Sequence, residues 1–231
     1  MLTESEHNLL HEVDLFDGLM PEQSAAISML LQRKTFPAGT NLMLIEQPGE
    51  VVYIILSGTV KIHVEQADGT DVIIAILGAG DTVGEMSLLD SVGRSANVIT
   101  QEESTLLWLD RSAFQQCLRT APVITYNLVR TLSSRLRLAN EQIQALATLD
   151  VYGRVARQLL AFAQKYGKAD AAGNIVIPIR LTQSDIAGLV GASRERVNGA
   201  IVHFKNRGYI SIDQNFRITV HNLEALAKRC R

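Results

Sequence analysis

The chain reads as an α+β protein with three consecutive parts: an N-terminal antiparallel β-roll, a long helix, and a C-terminal winged helix-turn-helix. Three observations predict this. Between Lys34 and Leu109, short β-branched runs alternate with glycine, the pattern of many short antiparallel strands. From Pro122 onward, apolar residues recur at three-four spacing, which is the stripe of a long amphipathic helix. Beyond Asp150, two short helical patterns are joined by a glycine turn, the helix-turn-helix layout.

Taken in order, residues 1–32 read as helical, with Leu9, Leu10, Val13 and Leu15 apolar. Pro21 opens a second helical turn that buries Ile27, Leu30 and Leu31. Val51–Leu56, Val60–Val64, Val72–Leu77 and Leu106–Leu109 have strand length and composition, and Asp68-Gly69 is a hairpin signal. In the long helix, Val129, Leu132, Leu136, Ala139, Ile143 and Leu146 form an a/d seam of about two and a half heptads. The seam either packs within the chain or pairs two copies. The flanking Arg130, Arg135 and Arg137 favour a parallel dimer, because they are too polar for a buried helix. Asp150 is the expected N-cap of the next helix, and the loop Gly167–Asn174 and a strand Ile175–Ile179 follow. Domain limits are expected at 1–120, 121–149 and 150–231.

Composition narrows the function. The 231 residues are 47% hydrophobic and 20% charged, which excludes disorder and collagen-like structure. No run approaches 18 uncharged apolar residues, so no membrane span is expected. The start MLTESEHNLL is acidic where an export signal is basic. Cys117 and Cys230 fit no metal or redox spacing, and reduced thiols suit a cytoplasmic protein. Cys117 is expected at a helix beginning as a small buried hydrophobe. Residues 150–231 carry 13 Lys+Arg against 6 Asp+Glu, a net of +7, whereas residues 1–149 carry 9 against 18, a net of −9. Such a split suggests that one part faces a polyanion.

In the C-terminal part, Thr182 can cap one helix and Ser193 the next, with Gly191 as the turn. Val197, Ala200, Ile201 and Phe204 are the expected buried face, followed by two short strands around Tyr209–Ile212 and Phe216–Val220 as a wing. The first turn then exposes Arg194, Glu195, Arg196 and Asn198, whose side chains suit guanine, cytosine and adenine edges. Further upstream, residues 83–98 place Gly84 before a short helix beginning near Glu85, with Arg94 and Ser95 nine residues on. Glycine lets backbone approach a ligand, an arginine and a hydroxyl hold an anion, and a carboxylate suits a ribose hydroxyl. The set favours a nucleotide; the alternative is an ordinary loop with a structural Arg–Glu pair.

Thr182–Tyr209, with VGASRERV at its turn, resembles the winged helix-turn-helix of the cyclic-AMP receptor and fumarate–nitrate regulator (CRP/FNR) family, and "GE…RSA" resembles the phosphate-binding cassette of cyclic-nucleotide-binding domains. The resemblance covers nearly the whole chain. It implies a ligand site of Gly84, Glu85, Met86, Ser87, Arg94, Ser95, Arg135 and Asn140, with Glu85 on the ribose 2′-hydroxyl and Arg94 and Ser95 on the cyclic phosphate. Arg135, Ala139 and Asn140 match the base-recognition end; Ala139 cannot hydrogen-bond, whereas Asn140 can both donate and accept. The DNA-binding set it implies is Thr182, Ser193, Arg194, Glu195, Arg196 and Asn198, with Gly199 where the cyclic-AMP receptor has a further base-reading arginine.

The resulting expectation is a non-enzymatic, homodimeric, cyclic-AMP-responsive transcription regulator of palindromic double-stranded DNA, with RNA polymerase a further partner left open. Other effectors (cyclic GMP, a cyclic dinucleotide, 2-oxoglutarate) and an interaction subunit that never touches DNA are the alternatives. Metal sites are not expected. The chain lacks the N-terminal cysteine cluster of an iron–sulfur sensor, His63 is the sole histidine of the β region, and His7 and His11 lack a third ligand.

Overall fold

A computed structural model of the chain describes residues 13–67 and 71–230. They fall into two compact units, one comprising residues up to 64 together with 76–137, the other 65–75 together with the chain from 138 onward. Leu9, Leu10, His7, His11 and the Asp68-Gly69 turn lie outside the described residues.

Among the described residues, eight strands precede residue 111: β1 (Gln32–Phe36), β2 (Asn41–Met43), β3 (Val51–Ser57), β4 (Val60–Glu65), β5 (Asp71–Leu77), β6 (Thr82–Val83), β7 (Asn97–Thr100) and β8 (Ser104–Asp110). They form two four-stranded sheets, ordered β1-β8-β3-β6 and β2-β7-β4-β5. The expected antiparallel pairing is present in β1–β8, β3–β8, β3–β6, β2–β7 and β4–β7. Alternation places Val52, Ile54, Leu107 and Leu109 on one face of the first sheet. That face packs against Val13, Leu15, Phe16, Ile27, Phe114, Ile124 and Leu128 from the helical segments. The opposite parity, including Ile55 and Leu106, is buried as well, so this sheet is covered on both sides.

The helices of this part are α1 (Pro21–Leu30), α2 (Glu85–Asp90), α3 (Arg111–Thr120) and α4 (Pro122–Thr148), the last running on into the second unit. Two expectations need correcting here. Residues 13–16 make only one 3-10 turn, and Gln32 already belongs to β1, because pairing with β8 in unbroken register from Gln32 to Phe36 satisfies a polar edge strand that has no apolar alternation to reveal it. Cys117 lies in the last turn of α3, not at a helix beginning, and is fully buried. The α4 stripe is exposed at Val129, Leu136, Ile143 and Leu146, whereas Leu132 packs on the core.

The second unit contains α5 (Val151–Tyr166), β9 (Lys168–Ala169), β10 (Ile175–Ile177), α6 (Gln183–Val190), α7 (Arg194–Asn206), β11 (Ile210–Ile212), β12 (Ile218–Val220) and α8 (Leu223–Ala227). An antiparallel sheet runs β11-β12-β10-β9. The strand expected to reach Ile179 stops at Ile177, because Pro178 has no N–H for the ladder. The expected Gly167–Asn174 loop contains β9. Asp150 caps α5, its carboxylate accepting from Gly153 N at 2.7 Å.

Candidate functional site

The first site is organised around Gly84. It caps α2 at φ +94°, and a Cβ there would overlap Met43 Cε and come within 2.7 Å of Arg94 Nη1 and 2.9 Å of the Val51 carbonyl. Only glycine meets both conditions without strain. Arg94 is buried, and its guanidinium donates to the Gly84 carbonyl (2.8 Å), the Ser87 hydroxyl (3.4 Å) and the Val51 carbonyl (2.6 Å). Burial pulls its pKa below the ordinary arginine value, against the opposing influence of Tyr53, Glu50 and Glu85. Backbone bonds from Glu46 N to Arg94 O and from Arg94 N to Gln47 O hold the residue in place.

Glu85 supplies the complementary charge. Its side chain is 2% exposed, and Oε1 accepts from Arg135 Nη1 at 2.7 Å. The same guanidinium donates to the Thr82 carbonyl. Oε2 is buried with no hydrogen-bond partner. The ion pair of Glu85 is therefore made with Arg135 of α4 rather than Arg94, so the arginine expected to flank the helix seam is turned onto the β-roll. A buried carboxylate oxygen without a donor accommodates a ligand hydroxyl, and a buried arginine resting on neutral carbonyls and a hydroxyl retains its charge for an anion.

Gly84, Glu85, Ser87, Arg94 and Arg135 thus come together. Met86 and Ser95 are exposed at the same segment, and Asn140 is exposed on α4. Sequence reasoning missed Arg111. Its guanidinium donates to the carbonyls of Gly49 (2.6 Å), Ser87 (3.1 Å) and Leu88 (3.4 Å), bracing α2 from below. Its position at the start of α3 carried no signal, since the partners are backbone groups distant in sequence.

In the second unit Thr182 and Asp185 form a capping box on α6, Gly191 ends that helix at φ +59°, and the Ser193 hydroxyl accepts from Arg196 N. Val197, Ala200, Ile201 and Phe204 are buried, so the opposite face of α7 presents Arg194, Glu195, Arg196 and Asn198 to solvent. Asn198 Oδ1 accepts from Gln183 Nε2 at 2.9 Å, tying the start of α6 to the exposed face of α7. Backbone N–H and the Ser193 hydroxyl hold the Glu195 carboxyl below its ordinary pKa. An open groove of about 550 Å³ runs between Asp150, Val151 and Tyr152 on one side and Glu195, Arg196 and Gly199 on the other. Among the described residues no group of three metal-ligating side chains is assembled, and no helix is long and apolar enough to cross a membrane.

Comparison with known proteins gives a domain family for each part of the chain. Residues 33–121 match the cyclic nucleotide-binding domain family, and residues 153–229 match the Crp-like helix-turn-helix domain family. The chain is 37% identical over 223 residues to a CRP-like cAMP-activated global transcriptional regulator of Mycobacterium tuberculosis, covering 96% of this chain and 99% of the relative. It is 30% identical over 198 residues to a cyclic AMP receptor protein of Thermus thermophilus, covering 86% and 88%. Among solved structures, FixK2 from Bradyrhizobium japonicum superimposes with a TM-score of 0.75 at 19% identity, covering 87% of this chain and 98% of that one.

Proposed function

The chain belongs to the CRP family of DNA-binding transcription regulators with a cyclic-nucleotide-binding domain, and from that premise we propose that it is a cytoplasmic, non-enzymatic homodimer whose effector is cyclic AMP. The observation that carries the effector reading is a buried, unpartnered Glu85 Oε2 on the residue after Gly84, together with a buried Arg94 guanidinium held on the Gly84 carbonyl. A 3′,5′-cyclic nucleotide offers a ribose hydroxyl to the first and a phosphate monoanion to the second. Ser95, the exposed neighbour of Arg94, adds a hydroxyl, and Met86 and Ser87 line the start of α2. The relatives named as cAMP-activated or as a cyclic AMP receptor favour adenine, with Arg135 and Asn140 at the base end. The exposed Val129, Leu136, Ile143 and Leu146 stripe supports pairing of two α4 helices.

In this reading the sensor occupies 1–120, the dimer helix 121–149 and the DNA-binding domain 150–231. Nucleotide shifts the balance between two arrangements of the dimer by its differential affinity, typically ~1–3 kcal/mol. The favoured arrangement sets two recognition helices ~34 Å apart on a palindromic site. Arg194, Glu195, Arg196 and Asn198 read bases, with Thr182 and Ser193 at the phosphate-facing helix starts. Calorimetry with cyclic AMP, cyclic GMP, a cyclic dinucleotide and 2-oxoglutarate tests the effector. Cyclic AMP should bind the wild-type chain and not Arg94→Ala, while the variant remains a dimer. Unaltered binding by that variant, or preference for another compound in the panel, overturns the assignment. Arg194→Ala should broaden the set of duplexes selected from a random pool, and an unchanged set contradicts its role.

A further inference from the structure

The last described segment of the chain returns to the start of α5. Asn222 caps α8 by accepting from Ala225 N at 2.8 Å, Leu226 of α8 is fully buried, and a 3-10 turn over Lys228–Cys230 follows. That turn lies against the first turn of α5. A Cβ on Gly153 would stand 2.8 Å from the Arg229 carbonyl oxygen and 3.2 Å from Leu149 Cβ. Gly153 is not among the residues with a left-handed backbone, and glycine inside a helix costs conformational entropy; what it permits here is the close approach of Arg229. The Cys230 thiol donates to the Gly153 carbonyl at 3.9 Å and to the Leu226 carbonyl at 3.5 Å. The Arg229 guanidinium meets Asp150 Oδ2 at 3.4 Å and lies over the Tyr152 ring, 5.7 Å from its centroid.

Asp150 and Tyr152 stand at a mechanical junction. Only Leu149 and Asp150 separate α4 from α5, and Asp150 caps α5 through its other oxygen, Oδ1. Tyr152 also meets the recognition helix α7. Its ring packs edge-on to His203 at 5.5 Å and Phe204 at 6.2 Å, and its hydroxyl lies 3.5 Å from where a Cβ on Gly199 would be. From these contacts we propose that residues 223–230 form a strap that closes the α4–α5 junction and ties it to α7, so that a change in α4 reaches the recognition helix as the movement of one body. With the strap closed, one guanidinium holds both the outer oxygen of the α5 cap and the ring that backs α7. With the strap open, the first turn of α5 frays and the angle between α4 and α5 is no longer fixed. The Arg229 and Asp150 side chains are 45% and 66% exposed, and a pair so exposed adds little to global stability, which suits a part that tunes coupling rather than fold. The inference rests on nucleotide control of DNA binding as proposed above and names the segment through which that control passes.

The test uses the full chain and a duplex it selects from a random pool. Asp150→Asn keeps a good N-cap and removes a negative charge, Arg229→Gln removes a positive charge, and Gly153→Ala changes no charge but pushes the Arg229 backbone away. The nucleotide gain is the ratio of duplex affinity with saturating cyclic AMP to affinity without it. It should fall about threefold in each variant, as for loss of one exposed ion pair, while melting stays within a few degrees of wild type. The variant carrying both Asp150→Asn and Arg229→Gln should fall no further than either alone. Hydrogen exchange at the Gly153 and Arg154 amides, measured without nucleotide, should quicken in all three. A plain charge effect on DNA would instead raise affinity for Asp150→Asn and lower it for Arg229→Gln, with and without nucleotide alike. The gain would then be unchanged, and an unchanged gain in the folded variants overturns the proposal. A wild-type chain with no nucleotide gain marks failure of the effector reading instead, and the exchange rates then decide the strap: unchanged rates in all three variants overturn it.

Discussion

Removing the Arg135 guanidinium leaves the Glu85 carboxylate, 2% exposed, with no partner on either oxygen. At 2.7 Å the gross attraction at an effective dielectric of 20 is about 6 kcal/mol. Desolvation offsets most of this, and deleting one member of a buried pair costs about 3–5 kcal/mol. The Arg135 side chain is 28% exposed, which puts Arg135→Ala at the lower end, about 3 kcal/mol. Glu85→Gln keeps an acceptor for Arg135 and removes the charge, so it should cost about 1 kcal/mol. With no charge left to strand, the double variant should cost little more than Glu85→Gln alone, a coupling of about 3 kcal/mol. Urea unfolding followed by Trp108, the chain's one tryptophan and a residue of β8, reports the unit that holds the pair. Additive losses, or an Arg135→Ala penalty below about 1 kcal/mol, would refute the argument that the carboxylate depends on this guanidinium.

Two further outcomes follow from the same geometry. Gly84→Ala forces a Cβ onto Met43 and Arg94 at φ +94°. It should destabilise the β-roll by about 1–3 kcal/mol and weaken cyclic-nucleotide binding in calorimetry at least as strongly as Arg94→Ala. An alanine variant with wild-type binding would show that the approach at Gly84 is not needed. Burial raises the Cys117 thiol to about 11, so it should resist iodoacetamide at pH 8 until the chain is unfolded in urea, as peptide mass spectrometry would read. Because the folded pKa lies above the unfolded one, the stability this thiol contributes is complete below the unfolded pKa near 9 and declines as pH rises through the folded value. Rapid labelling in native buffer would contradict the burial argument.

The helix-turn-helix was the most legible region because its determinants are local. The Asp150, Thr182 and Ser193 caps, the Gly191 turn and the Val197–Phe204 face each act within a few residues, and each is present. The central strands were legible for a related reason: Val51–Leu56 and Leu106–Leu109 lie in a sheet buried on both faces, which requires near-continuous apolar runs. Edge strands carry no such requirement. β1 reads QRKTF with only Phe36 buried, and its conformation is set by the neighbour it pairs with.

Residue types at the nucleotide pocket were readable; their pairing was not. Local chemistry along the chain specified the order of elements, the helix ends, the turn glycines and the identity of Gly84, Glu85 and Arg94, because propensity and capping act over a few bonds. Only the tertiary structure decided that Glu85 takes Arg135 from fifty residues away, that Arg111 braces α2 through three carbonyls, and that Arg229 returns to Asp150. Those contacts join groups far apart in sequence, and backbone carbonyls, which accept most of them, have the same chemistry at every residue.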